Sequence, residues 1–245
     1  MFFKKKNSDS NKADYSSLNA DLHSHLLPGI DDGSQDIETS IQLVKGMREL
    51  GFKKLITTPH IMWDIYKNTR EIILEKLEQL KVRLVEEKID IEIHAAAEYF
   101  IDDYVEKLLD HKEPLLTFGN NLVLTEFSMA SPSFDLKEVL FEMQIQGYQP
   151  VIAHPERYTY LEHNKHFYDE LKDAGYLFQL NILSLSGYYS GAVMELARYL
   201  AKKGYYDLVG SDLHHTRHLE ALKNPSVLSS LNRFIEAGKI QNHTI

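Results

Sequence analysis

Residues 21–25 read Asp21-Leu22-His23-Ser24-His25, and the stretch Pro28-Gly29-Ile30-Asp31-Asp32-Gly33 begins three residues later. His23 and His25 are separated by one residue at the end of a short apolar run. Both imidazoles therefore project from the same face if that run is a β-strand. Two imidazoles in this arrangement can bind one metal ion together. The stretch predicts a strand that ends in a metal site.

Apolar runs that end in a metal-binding residue type recur along the chain. They end in Thr58-Pro59-His60, Ala97-Glu98-Tyr99, Thr125-Glu126-Phe127, Ala153-His154-Pro155 and Ser211-Asp212-Leu213-His214. Histidine and carboxylate side chains suit hard and borderline divalent metals. The candidate metal ligands are accordingly His23, His25, Asp31, His60, Glu98, Glu126, His154, Asp212 and His214. Five neutral imidazoles and four carboxylates carry four negative charges, so three divalent ions would leave a cationic floor suited to phosphate.

The alternation of apolar runs and amphipathic segments predicts the fold. Seven runs end near His23, His60, Glu98, Glu126, His154, Asn181 and Asp212. Helical segments lie between them, such as the one with Ile73, Leu77, Leu80 and Leu84 on a single face. This pattern indicates an α/β fold, a distorted (β/α)7 TIM-like barrel. In such barrels the active site lies at the C-terminal ends of the strands, where all the candidate ligands fall.

The composition sets the domain organisation and the compartment. With 245 residues, 43% of them hydrophobic and 26% charged, the chain suits one soluble domain. We predict a disordered polar tail over residues 1–18 and a single folded domain over residues 19–245. The chain has neither a run of about 18 apolar residues nor the apolar core of a signal peptide. A cytoplasmic protein without stable membrane insertion is expected.

Cysteine usage and net charge exclude several classes of protein. The chain has no cysteine, which excludes disulfides, thiolate nucleophiles and cysteine-type zinc sites. Cysteine-dependent phosphatase chemistry is therefore excluded as well. The net charge of −9 argues against a nucleic-acid partner, because such a partner requires a basic face.

Two arginines lie just beyond ligand motifs and are predicted to bind phosphate. Arg157 follows His154 by three residues, and Arg217 follows His214 by three residues. A guanidinium binds phosphate oxygens through two parallel hydrogen bonds; a surface salt bridge is the alternative for each arginine. Aromatic residues on the same loops could stack on an aromatic leaving group or serve loop packing, namely Trp63, Tyr66, Tyr158, Tyr160, Tyr188 and Tyr189. His215 and His218 also follow the last motif but stay outside the predicted metal set.

Together these motifs resemble the polymerase-and-histidinol-phosphatase (PHP) superfamily of metal-dependent phosphoesterases, from Asp21 to about Arg217. Within it they resemble the bacterial protein-tyrosine phosphatases encoded with capsule and exopolysaccharide assembly systems. Glu126 is typical of that branch, whereas many other members have histidine there. The resemblance implies three metals, usually manganese, with iron, zinc or magnesium as alternatives. It assigns His23, His25, Glu98 and Asp212 to one metal, Glu98, Glu126 and His154 to a second, and Asp31, His60 and His214 to a third.

The resemblance also implies an activity, the hydrolysis of phosphotyrosine. Arg157 and Arg217 would hold the phosphate oxygens, and His214 is a candidate proton donor. The implied substrate is the tyrosine-rich tail of a bacterial tyrosine kinase that regulates capsule or exopolysaccharide synthesis. Three alternatives stay open: a small-molecule PHP phosphatase such as histidinol-phosphatase, an amidohydrolase, and a non-catalytic phosphotyrosine-binding module. The amidohydrolase is disfavoured because Glu126 stands where that family usually has a bridging lysine. No oligomeric state is predicted.

Overall fold

The chain forms short parallel strands and surrounding helices. The structure, a computed structural model, describes residues 13–131, 133, 135–237 and 240–245, and of residues 236 and 237 it describes the backbone alone. The strands are β1 (Ala20–Asp21), β2 (Lys54–Thr57), β3 (His60–Ile61), β4 (Glu92–Ala95), β5 (Glu98–Phe100), β6 (Leu122–Glu126), β7 (Gln149–Ala153), β8 (Leu177–Asn181) and β9 (Leu208–Gly210). They pair in the orders β1-β2-β4 and β3-β5-β6-β7-β8-β9, and every pair between them is parallel.

Two of the predicted strands are each interrupted once, which accounts for the two sheets. Pro59 separates β2 from β3, because proline has no N–H to donate to a ladder. Pairing with the neighbouring strand nevertheless continues across the break: the Ala96 amide donates to Thr57 O at 2.9 Å and the Glu98 amide to Pro59 O at 3.1 Å. The strands therefore occupy seven positions in sequential order. The predicted distorted (β/α)7 barrel is confirmed.

The barrel closes between its first and last strands. Ser24 forms a parallel bridge with Leu213, and the His25 amide donates to Leu213 O at 2.9 Å. The Asp212 amide donates to His23 O at 2.8 Å. These bonds join the two ends of the chain's strand order directly beneath the candidate ligands.

Side chains complete this closure where β1 and β9 lack a ladder between them. Asn242, which is fully buried, donates to Ala20 O at 3.0 Å and to Val209 O at 2.8 Å, and it accepts from the Val209 amide at 2.9 Å. The carboxylate of Asp21 accepts from the Ser211 amide at 2.7 Å and from the Ser211 hydroxyl at 2.8 Å. We call this the β1–β9 seam.

Helices cover the outside of the barrel. They are α1 (Ile37–Glu49), α2 (Arg70–Glu86), α3 (Asp103–Asp110), α4 (Leu136–Ile145), α5 (His166–Asp173), α6 (Gly191–Lys203), α7 (Thr216–Leu222) and α8 (Pro225–Ala237). The buried residues of α2 are the four predicted from the sequence, Ile73, Leu77, Leu80 and Leu84. Within the described ranges, no helix combines the length and the apolar character that crossing a membrane requires.

The hydrophobic core has an outer and an inner part. The outer part packs the helices onto the strands. The inner part joins side chains in or beside strands from β1 to β9, as expected for the interior of a barrel: Ala20, Leu22, Ile56, Ala96, Phe118, Leu124, Val151, Ala153 and Leu208. These apolar side chains fill the barrel interior beneath the polar residues at the C-terminal ends of the strands.

The folded domain begins before the predicted boundary. Ala13, Tyr15 and Leu18 are buried in the outer core, so residues 13–18 belong to the folded domain. Tyr15 stacks on Phe52 with ring centroids 5.5 Å apart, and its hydroxyl donates to Leu222 O at 2.7 Å. The predicted boundary at residue 18 is therefore corrected, because these apolar side chains find partners far along the chain. Residues 1–12 lie outside the described residues.

Candidate metal centre

Histidine and carboxylate side chains converge at the C-terminal ends of the strands. These side chains form several sets of three or four residues, and within each set the ligand atoms all lie within 4.8 Å of one another. The members of the sets are His23, His25, Asp32, His60, Glu98, Glu126, His154, Asp212 and His214. Eight of these nine were predicted; Asp32 was not, and Asp31 is absent from every set. We divide them into three groups.

The first group is His23, His25, Glu98 and Asp212. His23 Nε2 lies 3.2 Å from His25 Nε2, 3.2 Å from Glu98 Oε2 and 3.3 Å from Asp212 Oδ1. All four side chains are almost completely buried. Two imidazole nitrogens and two carboxylates facing one another at this distance, away from water, form a donor set that a divalent cation would satisfy.

Hydrogen bonds on the far side of the imidazoles determine which nitrogen faces the cluster. His23 Nδ1 donates to Gln179 Oε1 at 2.9 Å, and His25 Nδ1 donates to Asp31 Oδ2 at 2.8 Å. His214 Nδ1 donates to the carbonyl oxygen of Asp212 at 2.9 Å. Since these partners are oxygen acceptors, each Nδ1 carries the proton and each Nε2 presents its lone pair to the cluster.

The second group is Glu98, Glu126 and His154, and Glu98 is shared with the first. His154 Nε2 lies 3.3 Å from Glu98 Oε1 and 3.5 Å from Glu126 Oε1. Burial and the negative charge of Glu98 raise the pKa of Glu126 well above its usual value. Burial and the positive charge of Arg157 lower the pKa of His154 to about 4, which keeps its imidazole neutral at neutral pH.

The third group is Asp32, His60 and His214. Asp32 Oδ1 lies 3.5 Å from His60 Nε2 and 3.4 Å from His214 Nε2. The other nitrogen of His60 lies 3.3 Å from Glu98 Oε2, which connects this group to the second. Burial would raise the pKa of Asp32, but the neighbouring imidazoles of His214, His60 and His25 lower it to about 2.

The structure places Asp31 behind the cluster, which corrects its predicted role. Asp31 Oδ2 accepts from His25 Nδ1 and, at 3.1 Å, from the His60 amide, while Oδ1 accepts from the Gly33 amide at 3.0 Å. Both carboxylate oxygens are thereby used. The turn comes so close to His25 that a Cβ at Gly33 would lie 2.3 Å from His25 Cβ. This close turn directs the next carboxylate, Asp32, toward the cluster.

Unusual backbone at two strand ends aims ligands into the site. His154 and Asp212 follow β7 and β9 with φ of 32° and 51°, in the left-handed region that residues other than glycine rarely adopt. Gly210 makes room for the His23 ring, because a Cβ there would lie 2.6 Å from His23 Cβ. Conformations of this kind concentrate at functional sites.

The donor set fits divalent metals. Among the described residues, the buried atoms without a hydrogen-bond partner include His60 Nδ1 and Glu98 Oε1, both of which face the cluster. Buried polar atoms are normally satisfied, and a bound cation would satisfy these two. Mixed imidazole and carboxylate donors suit manganese, iron and zinc.

A pocket of about 570 Å³ opens above the cluster. Six largely apolar side chains are among its lining residues, namely Met62, Ile65, Tyr66, Phe100, Phe127 and Met129. Of the six aromatic residues named from the sequence, Tyr66 and Tyr189 line this pocket. Tyr158 instead packs on Phe127 with ring centroids 3.8 Å apart, and Trp63 stacks on Tyr104.

The two predicted arginines differ in position. Arg157 lines the pocket, and its Nη1 donates to Asp212 Oδ2 at 2.7 Å. Burial would raise the pKa of Asp212, but the neighbouring imidazoles of His23 and His214 and the positive charge of Arg157 hold it below its usual value. Arg217 is exposed and is not among the lining residues, so the structure does not bring it to the site. His215 and His218 line the pocket from that segment instead.

Comparison with known proteins shows which family this chain belongs to. The family model for capsular polysaccharide synthesis, CpsB/CapC, matches residues 19–234. The chain belongs to this family. The tyrosine-protein phosphatase YwqE of Bacillus subtilis (strain 168) is 29% identical over 197 residues, 80% of this chain and 78% of YwqE. The tyrosine-protein phosphatase CpsB of Streptococcus pneumoniae is 31% identical over 201 residues, 80% of this chain and 82% of CpsB.

A solved structure supports the same assignment. It comes from work on YwqE of Bacillus subtilis and CpsB of Streptococcus pneumoniae, described as metal-dependent tyrosine phosphatases. It superposes with a TM-score of 0.78 at 28% identity, covering 87% of this chain and 86% of that one. The CpsB/CapC match includes every member of the three groups, and it confirms the predicted capsule-associated branch of the PHP superfamily.

Proposed function

We propose that this CpsB/CapC chain is a metal-dependent protein-tyrosine phosphatase, a phosphoric monoester hydrolase acting in capsular or exopolysaccharide synthesis. The observation that carries the proposal is a set of three metal-suited groups, linked through Glu98 and His60, beneath a pocket that holds Arg157. The relatives YwqE and CpsB, which bear the name tyrosine-protein phosphatase, support the substrate class.

Each group would hold one divalent ion. The distances within the groups support this assignment, with Asp32 in the place predicted for Asp31. Divalent ions supply positive charge for a phosphoryl group and lower the pKa of water, the chemistry that phosphoester hydrolysis needs at neutral pH. We propose manganese, with iron, zinc and magnesium as the alternatives to be tested, because the donors mix nitrogen and oxygen.

The chain's own residues bind and orient the substrate. Arg157 uses one amino group on Asp212 and keeps its other N–H donors for phosphate oxygens. The apolar side chains of the pocket lining accommodate the phenyl ring of a phosphotyrosine. A phenol has a pKa of about 10, so its departure needs little help from a general acid. His214, with Nε2 facing Asp32, serves the third group rather than proton donation.

The pocket favours a peptide over histidinol phosphate. Among the described lining residues, the only carboxylates are Asp32, Glu98, Glu126 and Asp212, all members of the three groups. No separate acid is therefore present there to bind the amino group of histidinol. At the pocket mouth Ile65 is 62% exposed and Met129 is 40% exposed, as suits contact with a polypeptide. We infer that the substrate is the phosphorylated tail of a bacterial tyrosine kinase, met in the cytoplasm where ATP is available.

The test compares two substrates on protein of defined metal content. Chelator-stripped protein is refilled separately with manganese, iron, zinc or magnesium and assayed on a phosphotyrosine peptide and on histidinol phosphate. We expect turnover of the peptide, highest with manganese and lost in His60→Ala. Turnover of histidinol phosphate alone would show that the protein is a small-molecule phosphatase of metabolism rather than a protein phosphatase. Peptide binding without turnover by any metal form would indicate a binding module.

A further inference from the structure

Four residues beside the metal centre form a closed ring of contacts. Arg157 Nη1 donates to Asp212 Oδ2 at 2.7 Å, and Asn181 Nδ2 donates to the same oxygen at 2.9 Å. Asn181 Nδ2 also donates to the Tyr189 hydroxyl at 2.9 Å. The ring closes because the Arg157 guanidinium carbon lies 4.7 Å from the centroid of the Tyr189 ring. We call these residues the Arg157 ring.

We propose that Tyr189 is a positioning residue, which holds the Arg157 guanidinium in the orientation that binds the phosphoryl group of the substrate. The inference rests on the proposed phosphatase function. A guanidinium is planar and carries five N–H donors in fixed directions. The bond to Asp212 fixes one of these directions but permits rotation about it. Contact with the face of an aromatic ring fixes the plane as well.

The hydroxyl of Tyr189 is itself hydrogen-bonded, so the aromatic ring of Tyr189 is a rigid support for the Arg157 guanidinium. Both hydrogens of the Asn181 amide are used, on Asp212 and Tyr189, and Asn181 Oδ1 accepts from the Leu183 amide at 2.9 Å. These bonds settle which way the amide points. Burial and the charge of Asp212 raise the pKa of Tyr189, so its hydroxyl stays protonated at neutral pH.

Tyr188 provides a matched control. It precedes Tyr189, lies edge-on to it with ring centroids 5.2 Å apart, and is 41% exposed. It is not among the residues that line the pocket. The same substitution can therefore be made at two adjacent tyrosines, only one of which contacts Arg157.

The kinetic test uses Y189L, Y189F and Y188L, each with confirmed metal content and melting temperature. For a phosphotyrosine peptide we expect Y189L to raise KM about 10-fold with a smaller change in kcat, since substrate binding loses an oriented donor. Y189F keeps the ring and should stay within about 3-fold of the wild type, and Y188L should match the wild type. In an R157A background, Y189L should have no further effect. If Y189L does not fold, Y189M, which fills similar space without a ring, replaces it.

A second readout does not depend on turnover. In metal-free protein, the Arg157 Nε–Hε NMR resonance should be shifted upfield by the ring current of Tyr189. The resonance is assigned by its loss in R157A. Its chemical shift should move to the value usual for arginine in Y189L and should be unchanged in Y189F. Titration of metal-loaded protein with inorganic phosphate should show binding weakened about 10-fold in Y189L.

The outcomes separate this inference from the proposed function. A wild type that does not hydrolyse the peptide overturns the function, while the resonance and phosphate titration still test Tyr189. If Y189L lowers kcat/KM by the same factor in the wild-type and R157A backgrounds, Tyr189 contacts the substrate itself, and the inference is wrong. An unshifted wild-type resonance, or unchanged KM and phosphate affinity in Y189L, would also overturn it.

Discussion

His25 Nδ1 donates to Asp31 Oδ2 at 2.8 Å, on the side of the imidazole opposite to the Nε2 that faces the metal centre. The next carboxylate along the chain, Asp32, lies on the other side, 3.4 Å from His214 Nε2. Two adjacent aspartates thus have different tasks. One orients a ligand histidine, and the other belongs to the third group.

The first prediction separates these two aspartates. Asp32→Asn should remove the third metal, so metal analysis should find one ion fewer per chain, and activity should fall roughly 100-fold. Asp31→Asn should keep all the metals but weaken their affinity roughly 10–100-fold, because an orienting partner is lost. An amide has one oxygen, whereas Asp31 accepts from donors on both of its oxygens. Permanent metal loss in Asp31→Asn alone would restore the original assignment.

The second prediction concerns the two arginines. Arg157→Ala should lower kcat/KM on a phosphotyrosine peptide by roughly 10–100-fold, the usual cost of a lost charge-assisted hydrogen bond. Arg157→Lys keeps the positive charge but loses the planar set of N–H donors, so its kcat/KM should lie between those of the wild type and Arg157→Ala. Arg217→Ala should stay within about 3-fold of the wild type, because its side chain is exposed outside the pocket. A large loss in Arg217→Ala would show that α7 moves when substrate binds.

The third prediction concerns metal removal. Bound metal stabilises the native state, and one site filled at 100 times its dissociation constant adds about 2.7 kcal/mol. For a chain of this size that corresponds to roughly 5–10 °C in melting temperature. Chelation should therefore lower the melting temperature by roughly 5 °C or more, and added manganese should restore it. A melting temperature that does not change when metal analysis shows complete removal would contradict a buried metal centre.

The fourth prediction tests the corrected domain boundary. Tyr15→Ala should cost about 3–5 kcal/mol in the free energy of unfolding, since a fully buried ring is removed. Tyr15→Phe should cost about 1 kcal/mol, because Leu222 O loses its donor. Urea unfolding measures both changes, and Ser17→Ala, at an exposed position, is the control. Equal midpoints for Tyr15→Ala and the wild type would mean that residues 13–18 contribute nothing to the fold.

The fifth prediction concerns the β1–β9 seam. Asn242→Ala leaves Ala20 O and both backbone polar atoms of Val209 buried without their partner. An unsatisfied buried group costs about 1–3 kcal/mol, so the variant should lose at least about 2 kcal/mol of stability. Gln241→Ala, at the exposed neighbouring position, should be neutral in the same urea titration. A neutral Asn242→Ala would show that the seam relaxes around the missing side chain.

Much of the fold could be predicted because it depends on periodicity. The buried face of α2 is the one that the sequence pattern indicates, and each of the seven predicted strand ends lies within two residues of an observed strand end. The strand that leads to Glu98 is nevertheless broken between β4 and β5, at Ala96 and Ala97, where the pattern shows no interruption. Local spacing carries no information on such breaks.

The errors in the candidate site have a common cause, which is that they depend on conformation rather than on residue type. Asp31 and Asp32 are chemically identical, and only the close turn at Gly33 decides which one faces the cluster. Arg217 lies as near to His214 in sequence as His218 does to His215, but the direction of α7 turns His218 inward. Tyr15 finds its partner 207 residues away, beyond the reach of any local pattern.

The β1–β9 seam also sets an order of assembly. Asn242 bonds to Ala20 across 222 residues of chain, so the seam can be completed only after residue 242 has been synthesised. The second group lies on β5, β6 and the end of β7, which pair as sequential neighbours. The first and third groups each need side chains from both sides of the seam. During folding, the second group can therefore assemble ahead of the others, and the first and third groups are completed only when the barrel closes.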